Sequence, residues 1–551
     1  MKQDERGYVL ILVLVTMAAL AVLSLAAIQV NLATNKQTVI RVDETQLDTD
    51  VKSTLNLLVS DLRKTFPIHD VDTVPSYMET QQAFQDAVDG VLVSNETYTG
   101  TRLSGNNTVI YSISRSATDR VNAPFTTVLT LTATGTTNAR PEQPTQTATY
   151  SQEVYLTALP SFLYYVLGSD DALTINGPPM VTGDIYAETS LSLQRTAMYQ
   201  LGTTRKSIDN LSTSRFYLDG QIDLAPGTSC TGCGTSGYFA TSLTPSANDQ
   251  PNIGQIESSF SPFHFDYSII QYANRFKSSL PKFSYDTPPI DSIFSSGLLT
   301  DDIEPFVQQS YTAPGETTPL TRSTEYLDPQ KLDAIDSLTI IRSPNSNATP
   351  MMITETVASS NVPLLFDGDV TIDGLNGITI SRPLLINGNL TIRGEVSFNT
   401  TVYTLEDAFI DRAEITGVSH SQDSSLVLLA KGKVLLNRIN EFSDTAQPLQ
   451  AFLYSDSTEK SQLYAVGSII QINGGFYSKG PLEINTFRGT FRSLPDQSAK
   501  EARFASGNVT ATDDIVQSRL VMEYNDGVFQ QIDTLPVSNQ LQLFVGQAIK
   551  Q

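Results

Sequence analysis

The chain contains no tryptophan, two cysteines and three histidines in 551 residues. Each shortage removes a class of chemistry. His69, His264 and His420 lie far apart in sequence, and the cysteines have no second pair, so neither a histidine-rich metal site nor a four-thiolate zinc site has the spacing it needs. Lysine and arginine number 35 against 58 aspartates and glutamates, a formal net charge of −23, and the cations nowhere form a run. Nucleic-acid binding calls for a basic patch, so no nucleic-acid partner is expected. The acidity fits solubility in an extracellular or saline medium. Phosphate-cradling glycine loops, dinucleotide fingerprints and nucleophile elbows are missing too. The two cysteines stand as Cys230-Thr231-Gly232-Cys233 between flanks rich in Pro, Gly, Ser and Thr. Such flanks suit a local disulfide pinning an exposed loop, whereas a redox pair would open a helix after a strand.

What is present begins at the N-terminus. From Tyr8 to Val30, 23 residues carry no charge, and only Thr16, Ser24 and Gln29 interrupt the apolar run. As a helix it spans roughly 34 Å, enough for a hydrocarbon core of about 30 Å. Three readings compete. A cleaved secretory signal has a shorter apolar core and a small-x-small cleavage site. A single-span anchor needs the length alone. A pilin-type start rests on Arg6-Gly7 directly before Tyr8-Val9-Leu10-Ile11-Leu12-Val13-Leu14-Val15. This stretch resembles the N-terminus of PilX-type minor subunits of type IV pili, in which a short charged leader ending in Arg-Gly precedes an aliphatic helix. The resemblance implies cleavage by a prepilin peptidase between Gly7 and Tyr8. It also implies packing against pilin-like subunits through residues 13–28. Where major pilins carry a glutamate five residues after the cut, this chain has Leu12, as PilX-type sequences often do.

Beyond the apolar run, Leu47, Val51, Leu55, Leu58, Leu62 and Phe66 recur at helical spacing until Pro67 ends the pattern. A further short helix is expected within residues 74–91. The period then falls to two in 108–114, 126–132 and 148–156, which are rich in β-branched and aromatic residues and separated by Gly, Asn and Pro turns. A long helix packed on an antiparallel sheet is the layout of a pilin-like α+β stem. A rigid stalk or coiled-coil spacer would show the same helical stripe.

Past residue 165 a short phrase recurs: Thr174-Ile175-Asn176-Gly177, Thr371-Ile372-Asp373-Gly374, Leu385-Ile386-Asn387-Gly388, Thr391-Ile392-Arg393-Gly394 and Ile470-Gln471-Ile472-Asn473-Gly474. Short alternating strands closed by turn residues that tolerate positive φ suit the stacked coils of a parallel β-solenoid, with antiparallel Asn-Gly hairpins as the competing arrangement. The wording of 424–491, such as Leu426-Val427-Leu428-Leu429-Ala430-Lys431-Gly432, also resembles the soluble part of PilX-type and related bacterial surface proteins.

The resulting expectation is a mainly β chain with a long N-terminal α-helix, a pilin-like α+β stem and a parallel β-helix or solenoid. Its parts are a leader at 1–7, a membrane or pilin-type helix at 8–30, a stem at 31–165, a solenoid at 166–194 and 360–495, an insertion at 195–359 and C-terminal strands or a cap at 496–551. The expected role is non-catalytic. The chain is read as a membrane-anchored, surface-exposed minor pilin or tip subunit of a type IV pilus-like system. Its partners would be membrane lipid, pilin-like subunits, a prepilin peptidase and a surface or glycan ligand. The alternatives are a stand-alone anchored adhesin or envelope scaffold and, more distantly, a tethered polysaccharide-degrading β-helix enzyme. For the latter, Asp170-Asp171 and Asp367-Gly368-Asp369 are the nearest carboxylate pairs. The second pair also suggests a calcium loop, though it lacks the Asp-x-Asp-x-Asp-Gly spacing. No other cofactor is expected.

Overall fold

The computed structural model describes residues 5–66, 81–92 and, between 97 and 551, all but a set of segments of which 277–292, 309–324, 506–517 and 529–540 are the longest. It is mainly β, with one very long helix at the start. That helix, α1 (Glu5–Thr65), runs unbroken for 61 residues, about 90 Å at 1.5 Å per residue. No proline or glycine follows Gly7 before Pro67, so nothing interrupts it. Its threonines do not compete with the helix. Thr34, Thr38, Thr45, Thr49 and Thr54 each donate their hydroxyl to the carbonyl four residues earlier.

The second half of α1 buries its apolar stripe. Leu47, Val51, Leu55, Leu58, Leu62 and Phe66 form one cluster with Phe84 and Val88 of α2 (Gln81–Leu92) and with the inner face of an antiparallel sheet. The part of the expected second helix before residue 81 lies outside the described residues. The sheet runs Thr97–Ser104, Asn107–Arg115, Thr126–Thr137, Thr147–Thr157 in order. Val109, Ile113, Leu129, Leu131, Val154 and Leu156 point inward, and threonines and serines alternate with them outward, as the period of two requires. Where α1 crosses, the strand carries Gly135, and a methyl there would fall 2.5 Å from a Val51 methyl. The helix sits that close because the position has no side chain.

The end of the chain completes this sheet. Gln542–Val545 and Ile549–Lys550 pair antiparallel with Thr147–Thr157, and Lys550 bonds Asp48 of α1 at 3.1 Å. Among the described residues, the strands of 496–551 are shared between sheets. Leu520–Glu523 joins the large sheet described next, and the last residues join the stem.

Apart from two separate hairpin pairs, Thr196–Leu201/Thr204–Asp209 and Thr490–Arg492/Arg503–Ala505, the remaining strands form a 28-stranded sheet whose described pairings are parallel except Phe306–Gln308 with Glu325–Leu327. Parallel pairing, not hairpins, explains the recurring phrases: Thr371-Ile372-Asp373-Gly374 lies beside Thr391-Ile392-Arg393-Gly394 in register. Three ladders result. Ladder one includes Leu364–Asp367, Leu384–Asn387, Thr400–Thr404, Leu426–Ala430, the second halves of Ala446–Ser455 and Ile469–Ser478, then Leu167–Ser169, Ile185–Ala187 and Gln221–Leu224. Ladder two includes Ser461–Ala465, Leu482–Thr486, Ala172–Asn176, Ser190–Gln194 and Ser229–Thr231. Ladder three joins the first half of Ile469–Ser478 to Leu520–Glu523, Met180–Thr182 and Phe216–Asp219. Their inward side chains merge into one hydrophobic cluster, including Leu384, Leu428, Phe476 and Leu167 of ladder one, Ile484 and Ile175 of ladder two, and Met522 and Val181 of ladder three.

The corners explain the turn residues. The Asp369 carboxylate accepts the backbone N–H of Asn389 at 2.7 Å, the Asn389 carbonyl oxygen accepts that of Asp407 at 3.2 Å, and the Asp407 carboxylate accepts that of Lys433 at 3.0 Å. Each short polar side chain thus satisfies a backbone donor one lap further on, a lap being the run of chain from one strand of a ladder to the next.

The strands at 216–255 and 339–353 correct the expected insertion at 195–359, since they pair within the large sheet. Among the described residues of that stretch, what stands outside it is the hairpin Thr196–Leu201/Thr204–Asp209, helix α3 (Phe265–Phe276) and the short helix Pro329–Asp333. α3 covers the outer side of ladder one: Phe265, Ile269, Tyr272 and Ala273 cluster with Leu385, Tyr403, Leu429 and Tyr454. Ladder one is consequently buried on both faces, which is why its strands are nearly continuous apolar runs.

Ile392 is fully buried in the shared core. Ile392→Ala should cost about 2–5 kcal/mol in urea unfolding of the large sheet. A loss below about 1 kcal/mol would mean that this core is not packed as described.

Candidate functional site

Among the described residues, the apolar start of α1 has no partner, and no part of its most apolar stretch is buried. Val22 is 70% exposed and Met17 67%. Among the described residues this is the one helix long and apolar enough to cross a membrane. The segment suits lipid at the level of hydrogen bonds as well, because the Thr16 hydroxyl is returned to the carbonyls of Leu12 and Val13, both at 2.9 Å. Gly7 and Tyr8 lie on the helical backbone of α1, one turn before this surface. Leu12 is itself exposed, so no carboxylate is placed among the apolar side chains from 11 to 30.

Cys230 and Cys233 are joined by a disulfide with their Cα atoms 5.8 Å apart. Cys230 occupies the register position beside Leu191 in ladder two, and Cys233 is buried in the same core. The pair therefore sits on the last strand of that ladder, in a turn made possible by Gly232 at φ +93°, where a side chain would press on the Leu193 carbonyl. The bridge fixes the turn after the last described strand of ladder two and packs on the shared core, while ladders one and three each continue by one more strand.

The two carboxylate pairs do not converge on an open cleft. Asp367 is held by Arg342 at 2.9 Å and by the Asn387 amide at 2.7 Å, while Asp369 accepts both N–H groups of Asn389. They lie on opposite sides of Gly368, which takes φ +138°, and each is committed to the neighbouring lap. Asp171 accepts the Thr189 hydroxyl at 2.9 Å. Among the described residues no group of three or more His, Cys, Asp or Glu is arranged to hold a metal ion.

Sequence reasoning missed a polar file at the corner between ladders one and two. It consists of Lys431, Asp456, Lys479, Asp170 and Glu188, one per lap. Their backbone N–H groups bond in turn to the carbonyls of Thr404, Ala430, Ser455, Ser478 and Ser169 at 2.8–3.0 Å. Lys431 pairs with Asp266 at the start of α3 at 2.8 Å, and Lys479 with Asp456 at 3.1 Å. Tyr477 donates its hydroxyl to Asp170 and Tyr454 donates to Asp456. Burial pushes the carboxyls of Asp170, Asp456 and Glu188 upward, Asp170 to about 7 even though the Tyr477 hydrogen bond opposes the shift. The imidazole of His264, before α3, is pushed down by burial and by Lys479.

Comparison with protein-family models, with curated proteins and with solved structures finds nothing that matches this chain. Its role has to be argued from the exposed helix and the body that helix carries.

The position of the disulfide generates a test. The loop it closes is short, so its removal should act locally. A Cys230→Ser/Cys233→Ser variant should exchange amide hydrogens faster at Ser229–Thr231, with the urea midpoint of the remaining core moving by less than about 1 kcal/mol equivalent. Loss of cooperative unfolding in the whole sheet would instead give the bridge a global role.

Proposed function

We propose that this protein is a single-pass, membrane-anchored surface component of a type IV pilus-like system, a non-catalytic minor or tip subunit. In this reading a pilin-like stem carries a β-solenoid head, with the three parallel ladders forming successive coils. The observation that carries it is α1 itself, one unbroken helix whose first half is apolar and uncovered and whose second half is packed against an antiparallel sheet. That division lets one end lie among lipids or the apolar helices of neighbouring subunits, while the other end holds a folded body clear of the bilayer. Arg6-Gly7 before Tyr8 supplies a cleavage position for a prepilin peptidase. The extracytoplasmic placement of the body is supported by its acidity and by the disulfide Cys230–Cys233.

A stand-alone anchored adhesin is the second reading, favoured by Leu12. A filament subunit with a carboxylate at that position can pair it with a neighbour's terminal amine, and leucine cannot. In either reading the head presents a rigid body for contact with a surface or glycan ligand.

Terminal sequencing of the membrane-extracted protein distinguishes the two. Processing predicts a mature chain beginning at Tyr8, and Gly7→Glu should leave the precursor uncut, with an intact Met1 and slower migration. If wild type itself retains Met1 when co-expressed with a prepilin peptidase, the pilus reading fails and the plain anchor remains.

A further inference from the structure

The polar corner file lies where two distant runs of chain meet. Leu167–Ser169 is the first strand of the large sheet to be made, yet it lies inside the stack. Ile185–Ala187 flanks it on one side, and Phe476–Ser478, three hundred residues later, on the other. At this junction the register position between Tyr477 and Tyr186 is Gly168, so the Tyr477 ring lies across a bare backbone. It reaches Tyr186, 6.2 Å away and nearly parallel, and is stacked at 6.3 Å on Tyr454 from the other side. Its hydroxyl ends on Asp170, and the Asp170 N–H is bonded to the Ser478 carbonyl at 3.0 Å. Asp170 therefore ties the early run to the late one where they join, its carboxyl through Tyr477 and its backbone N–H through Ser478.

We propose that Asp170, part-buried where the two runs meet and without a contacting cation among the described residues, forms a protonation-controlled latch on this junction, closed while the carboxyl is neutral and loosened when it ionises, with the Tyr477 hydroxyl opposing that loosening in part. The charged and titratable groups around it come from every adjoining lap. Glu188 lies on one side, Lys479 and Asp456 on the other, Asp171 is next in the chain, and His264 and Asp266 stand at the start of α3. Lys431 is engaged by Asp266 and Lys479 by Asp456. Among the described residues neither Asp170 nor Glu188 has a salt-bridge partner, so ionisation places two negative charges on successive laps without a contacting cation.

The sign follows from the direction of the shift. In the unfolded chain the Asp170 carboxyl titrates near its ordinary 3.8, and in the folded corner near 7. The folded state then holds the proton more tightly. The latch contributes fully below about pH 4 and is lost progressively as pH rises to about 7. Asp456 and Glu188 shift in the same direction and reinforce the trend.

Hydrogen exchange of the full chain in detergent micelles, corrected for the intrinsic pH dependence of exchange, tests this between pH 4 and 8. The opening constant of 167–169 and 476–478 should rise roughly 100- to 1,000-fold across that range, while 390–398 stays level. Asp170→Asn should cut the rise to the smaller part that Asp456 and Glu188 supply. Tyr477→Phe keeps the ring and removes a hydroxyl bond that favours the ionised carboxylate, so it should move the midpoint to higher pH. A junction whose opening ignores pH, or an Asp170→Asn variant that keeps the wild-type slope, overturns the latch. If Asp170→Asn does not fold, a Tyr477→Phe midpoint that stays put or falls overturns it equally.

Discussion

The large sheet depends on backbone hydrogen bonds that carry ladder one through Leu167, Gly168 and Ser169. On either side of them the laps follow one another in sequence, so each strand finds its partner roughly twenty to fifty residues away. At this one place the partner is at the far end of the chain. The neighbouring contacts are all arranged to hold it. The Ser169 hydroxyl reaches the Gly480 carbonyl at 2.9 Å, the Asn176 amide reaches Asn485 at 3.1 Å, and the hairpin at 196–209 bends over Leu482–Thr486, with Arg205 on Glu483. The buried guanidinium of Arg488 bonds the carbonyls of Pro178 and Pro179 on the third side. Each of these bonds joins residues about three hundred apart, and the loop entropy of that closure has to be offset by contacts made together.

How much of this was legible in the sequence depends on how local each feature is. The stripe from Leu47 to Phe66 marked the packed half of α1, because one helix face writes a period that needs no partner to be read. The stem strands alternated cleanly because their outer face meets water. The strands of ladder one do not alternate, since α3 covers the face that would otherwise be polar. Strands of three residues, such as Met180–Thr182 and Ser229–Thr231, carry too little pattern to announce themselves. That brevity, with flanks rich in Pro, Ser and Asp, made 216–255 and 339–353 look like an insertion. The exposed apolar helix and the cysteine pair were visible as words in the text. The corner file of Lys431, Asp456, Lys479, Asp170 and Glu188 was not, because its members are scattered over the chain and only the parallel register gathers them.

The carboxylates singled out beforehand show the same limit from the other side. Asp367 and Asp369 stand two residues apart, and that spacing suggests shared chemistry. In the fold they flank a positive-φ glycine and do separate work: Asp367 bridges Arg342 on the preceding lap and Asn387 on the following one, and Asp369 caps the turn at Asn389. Proximity in sequence is weak information in a lapped sheet, where the nearest neighbours of a side chain are usually a lap away.

The return of the last residues to Thr147–Thr157 bears on how the molecule is made. The helix and four strands of the stem emerge from the ribosome early, but the edge of their sheet stays open until residue 550 has been synthesised. Throughout that interval the uncovered apolar segment of α1 is already made while the stem remains unfinished. Synthesis therefore has a fixed order, in which the helix and first stem strands come first, the laps accumulate next, and the last strands close the open edge of the stem sheet.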